Sequence, residues 1–249
     1  ATTLSIIGTA GRDLTKPMSI LQYEFMCVSV QSFMVINKLH TKELTLVSGG
    51  AAWADHVAVD LFLKSYPRFK LILYLPCEIV KGEDGTYQYL DNGSKDWRTN
   101  PGRTSNIYHN SFKSIIGRDT IQEIIDAKEL GAVLDTSSKG FHDRNTKVSK
   151  SEYLVALTFA EGLAPSSGGT LDTWNKSKSI NRYHFTVKPV STPSSKRDRD
   201  RDDDDNDQEE EEEQDGFEES SKIIPKDEDR PPLKQMKKST KKTTKKKAI

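Results

Sequence analysis

The chain has 249 residues, and its 37 basic and 37 acidic side chains cancel to a formal net charge of zero. That zero averages unlike segments, because large apolar residues thin out near residue 190; one domain of ordinary size is expected over 1–190, and a tail over 191–249. Two cysteines, Cys27 and Cys77, exclude a disulfide framework, and no run reaches the ~18 apolar residues of a membrane span.

The chain does not open with the basic start and apolar run of a signal peptide, so an intracellular protein of the cytoplasm or nucleus is expected. Residues 4–7 read as a buried strand that runs into Gly8-Thr-Ala-Gly11-Arg12. Pro17 suits a first helical position, and residues 18–39 read as a helix, apolar on most faces and packed deep against a sheet. A second strand over 44–47 ends at Ser48-Gly-Gly50, followed by a helix over 51–64 with Ala54, Ala58, Leu61 and Phe62 on one face. A third strand over 70–75 closes at Pro76.

Residues 78–103 are irregular by pattern, with Tyr87, Tyr89 and Trp97 among glycines and prolines, and read as a lid or an insertion. Residues 105–130 are helical and broken near Gly117, where Arg118-Asp119 opens a second helix. A short strand over 132–134, a short helix after Arg144-Asn145, and a strand over 153–159 follow. Ser166-Ser-Gly-Gly-Thr170 then leads into a helix over 171–178 and a last strand over 183–187. Apolar strands alternating with helices predict an α/β, Rossmann-like three-layer sandwich, its mainly parallel sheet holding about six strands. Ligands of such sheets bind beyond the carboxyl ends of the strands, where all three glycine loops fall.

Glycine tolerates positive φ and close backbone approach, so successive amides can face one oxyanion, helped by the positive end of the following helix. The same glycines also serve simple tight turns. Thr9, Ser48 and Thr170 supply hydroxyls, and Arg12 and Arg144 supply guanidinium forks that match phosphate. Neither G-x-x-x-x-G-K-[ST] nor G-x-G-x-x-G is present, so no P-loop nucleotide and no resident dinucleotide cofactor is expected. His40, His56, His109, His142 and His184 lack ligand spacing, so no metal is expected either.

Ile6-Ile-Gly-Thr-Ala-Gly-Arg12, Val47-Ser-Gly-Gly-Ala-Ala-Trp-Ala-Asp55, Arg144-Asn145 and Gly168-Gly-Thr170 occur in that order across residues 4–188. Together they resemble the Rossmann-like superfamily of DNA-processing protein A and the Lonely Guy proteins. The resemblance implies a parallel sheet whose pocket binds a nucleotide or phosphoribosyl compound. It places Gly8, Thr9, Gly11, Ser48, Gly49, Gly50, Asp55, Arg144, Gly168, Gly169 and Thr170 along that pocket, with Arg12 and Asn145 beside them.

The Lonely Guy branch hydrolyses cytokinin nucleotides with a P-G-G-x-G-T-x-x-E motif, where this chain reads Pro165-Ser-Ser-Gly-Gly-Thr-Leu-Asp-Thr173. Thr173 stands in the glutamate's place, so Asp55 or Asp172 becomes the candidate carboxylate for N-ribosyl hydrolysis, each with a helix-start role as its alternative. Relatives in that superfamily pair through a helix near the glycine motifs, which implies a homodimer. Trp53 and Trp174, each just behind a glycine loop, are read either as base-stacking or as core residues.

The tail divides by charge. Residues 198–219 hold fifteen acidic side chains and two arginines, and residues 234–247 hold eight lysines and no acid. Both blocks are expected to be disordered, and the lysines suit nuclear import or non-specific contact with nucleic acid.

Overall fold

The computed structural model describes residues 1–189. The acidic and lysine-rich segments, and the disorder expected of them, lie outside the described residues.

Strand β1 (Thr2–Gly8) leads through a long loop to helix α1 (Ile20–Ile36), then β2 (Leu44–Ser48), α2 (His56–Ser65) and β3 (Lys70–Tyr74). An antiparallel hairpin, β4 (Ile79–Lys81) and β5 (Tyr87–Tyr89), precedes α3 (Pro101–Ile116) and α4 (Thr120–Glu129). Strand β6 (Val133–Asp135), α5 (Phe141–Val148), β7 (Tyr153–Thr158), α6 (Gly168–Lys176) and β8 (Asn181–Thr186) complete the fold. Six strands form one sheet in the order β6-β3-β2-β1-β7-β8, and every pairing in it is parallel. This is the expected Rossmann-like α/β sandwich. The chain steps outward from β1 to β6 and then returns to lay β7 on the other side of β1, so the topological switch point lies between β1 and β7.

Side-chain alternation builds the layers. Leu4, Ile6, Leu44, Leu46, Leu71 and Leu73 enter a large core that includes the buried residues of α1, α2, α3 and α4. Ile7, Val47, Leu154 and Ala156 turn the other way, toward Val148 of α5 and Trp174 of α6. The second face also holds a buried polar group: Ser5 donates to Val148 O at 2.7 Å.

The structure corrects four local expectations. Pro17 lies in the loop before α1, because Ser19, extended at φ −143°, accepts from Leu21 N and starts the helix there. Helix α1 buries only one stripe, with Tyr23, Met26, Val30, Phe33 and Met34 inward, while Leu21, Phe25, Val28, Val35 and Ile36 are exposed. Residues 51–55 form a turn rather than the first turn of α2, with Trp53 left-handed at φ 63°. The segment over 78–103 is less irregular than its composition predicts: it holds the hairpin, and Pro101 already begins α3 behind the N-cap Asn100. The predicted break at Gly117 is present, with that residue left-handed at φ 79° and Asp119 capping α4 through Gln122 N.

None of the helices among the described residues is long and apolar enough to cross a membrane. Cys27 and Cys77 are both free and half-buried, and burial pushes each thiol up to about 11, so both are protonated near neutrality.

Two glycines separate packing from backbone strain. A Cβ on Gly8 would stand 2.1 Å from Leu157 O and 2.6 Å from Ala54 Cβ, whereas one on Gly117 meets nothing within 4 Å. Gly8→Ala is therefore expected to cost about 3 kcal/mol or more by overpacking against backbone, and Gly117→Ala only about 1 kcal/mol of conformational strain. Urea denaturation of the two variants checks the ranking, and equal losses would refute the close-approach account of Gly8.

Candidate functional site

The glycine loops meet at the carboxyl edge of the sheet, beside the switch point. Each follows a strand in a parallel sheet, so all three reach the same edge. A set of hydrogen bonds ties them together there. Ala54 N donates to Thr9 O at 3.2 Å, Thr170 Oγ1 to Gly8 O at 3.0 Å, and Arg144 Nη1 to Gly49 O at 3.0 Å. Asn145 closes the set, with its Nδ2 donating to Gly169 O at 3.3 Å and to Asp172 Oδ2 at 3.1 Å. Arg144 in turn donates from Nη2 to Asn145 Oδ1 at 3.1 Å. Arg12, a sequence-predicted contact, stands apart: it is exposed, and none of these bonds involves it.

The second loop already holds an oxyanion of its own. Gly49 N and Ala51 N donate to Asp55 Oδ2 at 3.1 and 3.4 Å, and Gly50 N donates to Ser48 Oγ at 3.3 Å. Ser48 Oγ donates to Asp55 O at 2.9 Å. Asp55 is thus the anion in a nest of amides, not a first-turn residue of α2. Gly49 has no room for a side chain, because a Cβ there would sit 2.7 Å from Arg144 Cζ and 2.8 Å from Asp55 Oδ2. Burial raises the Asp55 carboxyl above the ordinary carboxylate range, against the pull of Arg144 and of the Ala51 and Gly49 amides. Burial also lowers the Arg144 guanidinium from its ordinary value, with Asp55 opposing.

The first loop is spent in part. Thr9 N continues the ladder to Leu157 O at 2.9 Å, and Gly11 N donates to Thr9 Oγ1 at 3.2 Å. The third loop differs. Gly168, Gly169 and Thr170 form the first turn of α6, where no earlier helical carbonyl exists for their amides, and Ser167 at the N-cap makes no side-chain capping bond. Exposed Gly168 and Gly169 present these amides to solvent, and Gly168 takes φ +69°.

Asp172 lies one turn further along α6. Burial raises its carboxyl, but hydrogen bonds from Lys176 at 2.8 Å and from Asn145 outweigh burial, and its pKa falls below the ordinary value. His142, exposed, stands 3.5 Å from the same oxygen. Both tryptophans are core residues. Trp53 is fully buried edge-on to Phe112 at 4.7 Å between ring centroids, and Trp174 packs on the second face beneath the guanidinium of Arg182.

Two residues to which the sequence pattern gave no place at the site hold the second loop from outside. Tyr89 Oη donates to Gly50 O at 2.8 Å, and His109 Nε2 lies 3.1 Å from the same carbonyl. A carbonyl only accepts, so His109 carries its proton on Nε2 and accepts at Nδ1 from Thr120 Oγ1, 2.6 Å away. Nothing near Tyr89 or His109 in the chain announces these contacts, because Gly50 is 39 and 59 residues distant.

Burial, reinforced by nearby His56, lowers the His109 imidazole from 6.5 to about 3. The unfolded chain takes up this proton near 6.5 and the folded chain does not, so stability is full above that value and is lost as pH falls toward 3. Between pH 7 and 5 the protein should lose about 2 kcal/mol more stability than His109→Gln, which keeps a donor for Gly50. Urea midpoints at the two pH values test this, and parallel losses in both proteins would contradict a buried neutral imidazole.

No family model matches the chain. It is 33% identical over 198 residues to the uncharacterized protein R261 of Acanthamoeba polyphaga mimivirus, an alignment covering 74% of this chain and 95% of the viral one. The chain belongs to the same family as that mimivirus protein.

Proposed function

We propose that residues 1–189 bind a phosphorylated small ligand of nucleotide or phosphoribosyl type, with its phosphate at the N-terminus of α6. One observation carries this reading. Three glycine loops are bonded together at the switch point of a parallel sheet, and at the third of them the amides of Gly168, Gly169 and Thr170 open a helix with no side-chain cap. Unpaired amides at a helix N-terminus attract an oxyanion through both hydrogen bonding and the helix dipole. Arg144 and Asn145 sit directly behind that turn, the first supplying positive charge and the second fixing Gly169. The ordered motifs shared with the DNA-processing protein A and Lonely Guy superfamily support the same class of ligand.

The test is a thermal-shift screen of the full chain against nucleoside mono-, di- and triphosphates, ADP-ribose, NAD and ribose 5-phosphate. A ligand at roughly a hundredfold excess over its dissociation constant stabilises by about 2.7 kcal/mol. That stabilisation should disappear in Arg144→Ala and shrink in Thr170→Val. Silence across the panel, or an undiminished response in Arg144→Ala, would overturn the reading.

A second reading, N-ribosyl hydrolysis of a nucleoside monophosphate, is favoured by one feature of Asp172. Its side chain is 28% exposed, held ionised, and oriented by Asn145 next to the α6 turn. A carboxylate so placed can activate water or stabilise a developing ribosyl cation. Under this reading Asp172→Asn abolishes release of free base while ligand-induced stabilisation persists, and unchanged release would remove Asp172 from the chemistry.

A further inference from the structure

A cleft of about 440 Å³ opens at the same carboxyl edge, between the hairpin segment that follows β3 and the loop joining β6 to α5. Its volume falls within the ~300–1,000 Å³ of ordinary ligand sites. We propose that this cleft is a phosphoryl-binding subsite, separate from the α6 turn, for a small organic phosphate.

Three independent features of the cleft point to an oxyanion. Gly140 lines it and is the N-cap of α5, yet it offers no side chain, so the amides of Phe141, His142 and Asp143 have no partner within the helix. The acid of that first turn does not cap them, because Asp143 Oδ2 accepts from Lys139 N at 3.0 Å instead. Ser138, which also lines the cleft, is 7% exposed, and its Oγ is buried without a hydrogen-bond partner. A buried hydroxyl left unpaired costs free energy that a bound oxyanion would repay.

Charge supplies the third feature. Arg98 and Lys139 both line the cleft, Arg98 only loosely paired with Asp96 at 3.8 Å and Lys139 without an ion pair among the described residues. Glu78, exposed, is the one acid among the lining residues, and the lining thiol of Cys77 is protonated near neutrality. Cationic side chains, a helix N-terminus and a hydroxyl donor converge, which is the donor set a phosphoryl group needs.

The cleft communicates with the glycine loops through α5. Trp97, next to Arg98, lies 6.1 Å from the Phe141 ring and 6.0 Å from the His142 ring, and Phe141 in turn lies under the Arg144 guanidinium at 5.1 Å. If both subsites are filled by one molecule, that molecule carries two phosphoryl groups, as a nucleoside diphosphate or a dinucleotide does. That last statement alone rests on the function proposed above.

Residue-resolved amide NMR of the full chain, titrated separately with inorganic phosphate and ribose 5-phosphate, separates the two sites. Saturable shifts are expected at the amides of residues 138–143. They should weaken at least tenfold in the Arg98→Ala, Lys139→Ala double variant and severalfold in Ser138→Ala, whose exposed or small changes leave the fold intact. The amides of residues 168–170 report the α6 turn independently. Response at 138–143 with silence at 168–170 would uphold the cleft and defeat the α6 reading. Silence at 138–143, or shifts there that survive the double variant, would overturn the cleft proposal whatever 168–170 show.

Discussion

The carboxylate of Asp55, drawn into the bend of the second glycine loop, is the contact on which the candidate site depends. Its Oδ2 accepts from Gly49 N and Ala51 N, and that bond curls the chain after β2 tightly enough to set Trp53 left-handed. The curl brings Ala54 against Gly8, where the backbone of β1 runs so close that no side chain fits. It also leaves Gly49 O facing Arg144 and Gly50 O facing Tyr89 and His109. A buried carboxylate is costly unless its oxygens are bonded; the Gly49 and Ala51 amides and the nearby Arg144 charge offset part of that cost, and burial still holds the carboxyl above its ordinary range. The loop is therefore a preorganised wall of the site rather than an empty cradle.

The parallel sheet fixes the electrostatics of this edge. Every helix that follows a strand begins at the carboxyl end, so the amino termini of α5 and α6 point the same way, toward one surface. Glycine stands at both starts, Gly140 as the N-cap of α5 and Gly168 as the first residue of α6, and neither is capped by a side chain. Uncapped starts leave amides to be satisfied by water or by a ligand. Three other helices do carry a side-chain cap: Ser19 begins α1, Asn100 begins α3 and Asp119 begins α4.

The strands and their order along the chain were legible because a buried parallel strand is a short apolar run ending in glycine, as at Ile6-Ile-Gly8 and Leu46-Val-Ser-Gly49. Helix boundaries were harder. Pro17 looked like a start, but Ser19 supplied the side-chain acceptor, and a real cap outweighs a permissive proline. Arg144 and Asn145 read as loop residues before a short helix and instead occupy the middle of α5, which lets one helix reach both the second and the third glycine loop. The hairpin was hidden because each of its strands holds only three residues, too few for alternation to register.

The amino-acid sequence by itself determined the α/β class, the parallel sheet, the break at Gly117 and most of the residues gathered at the site. Apolar periodicity and glycine placement are local properties, written within a few residues of where they act. Tertiary structure alone decided what those residues do to one another. It assigned the second loop's amides to Asp55, left those of α6 unpaired, brought Tyr89 and His109 onto Gly50, and exposed half of an apolar helix in α1. Such assignments depend on which groups meet across dozens of residues, and hydrogen-bond competition is settled only once the sheet has brought them within reach.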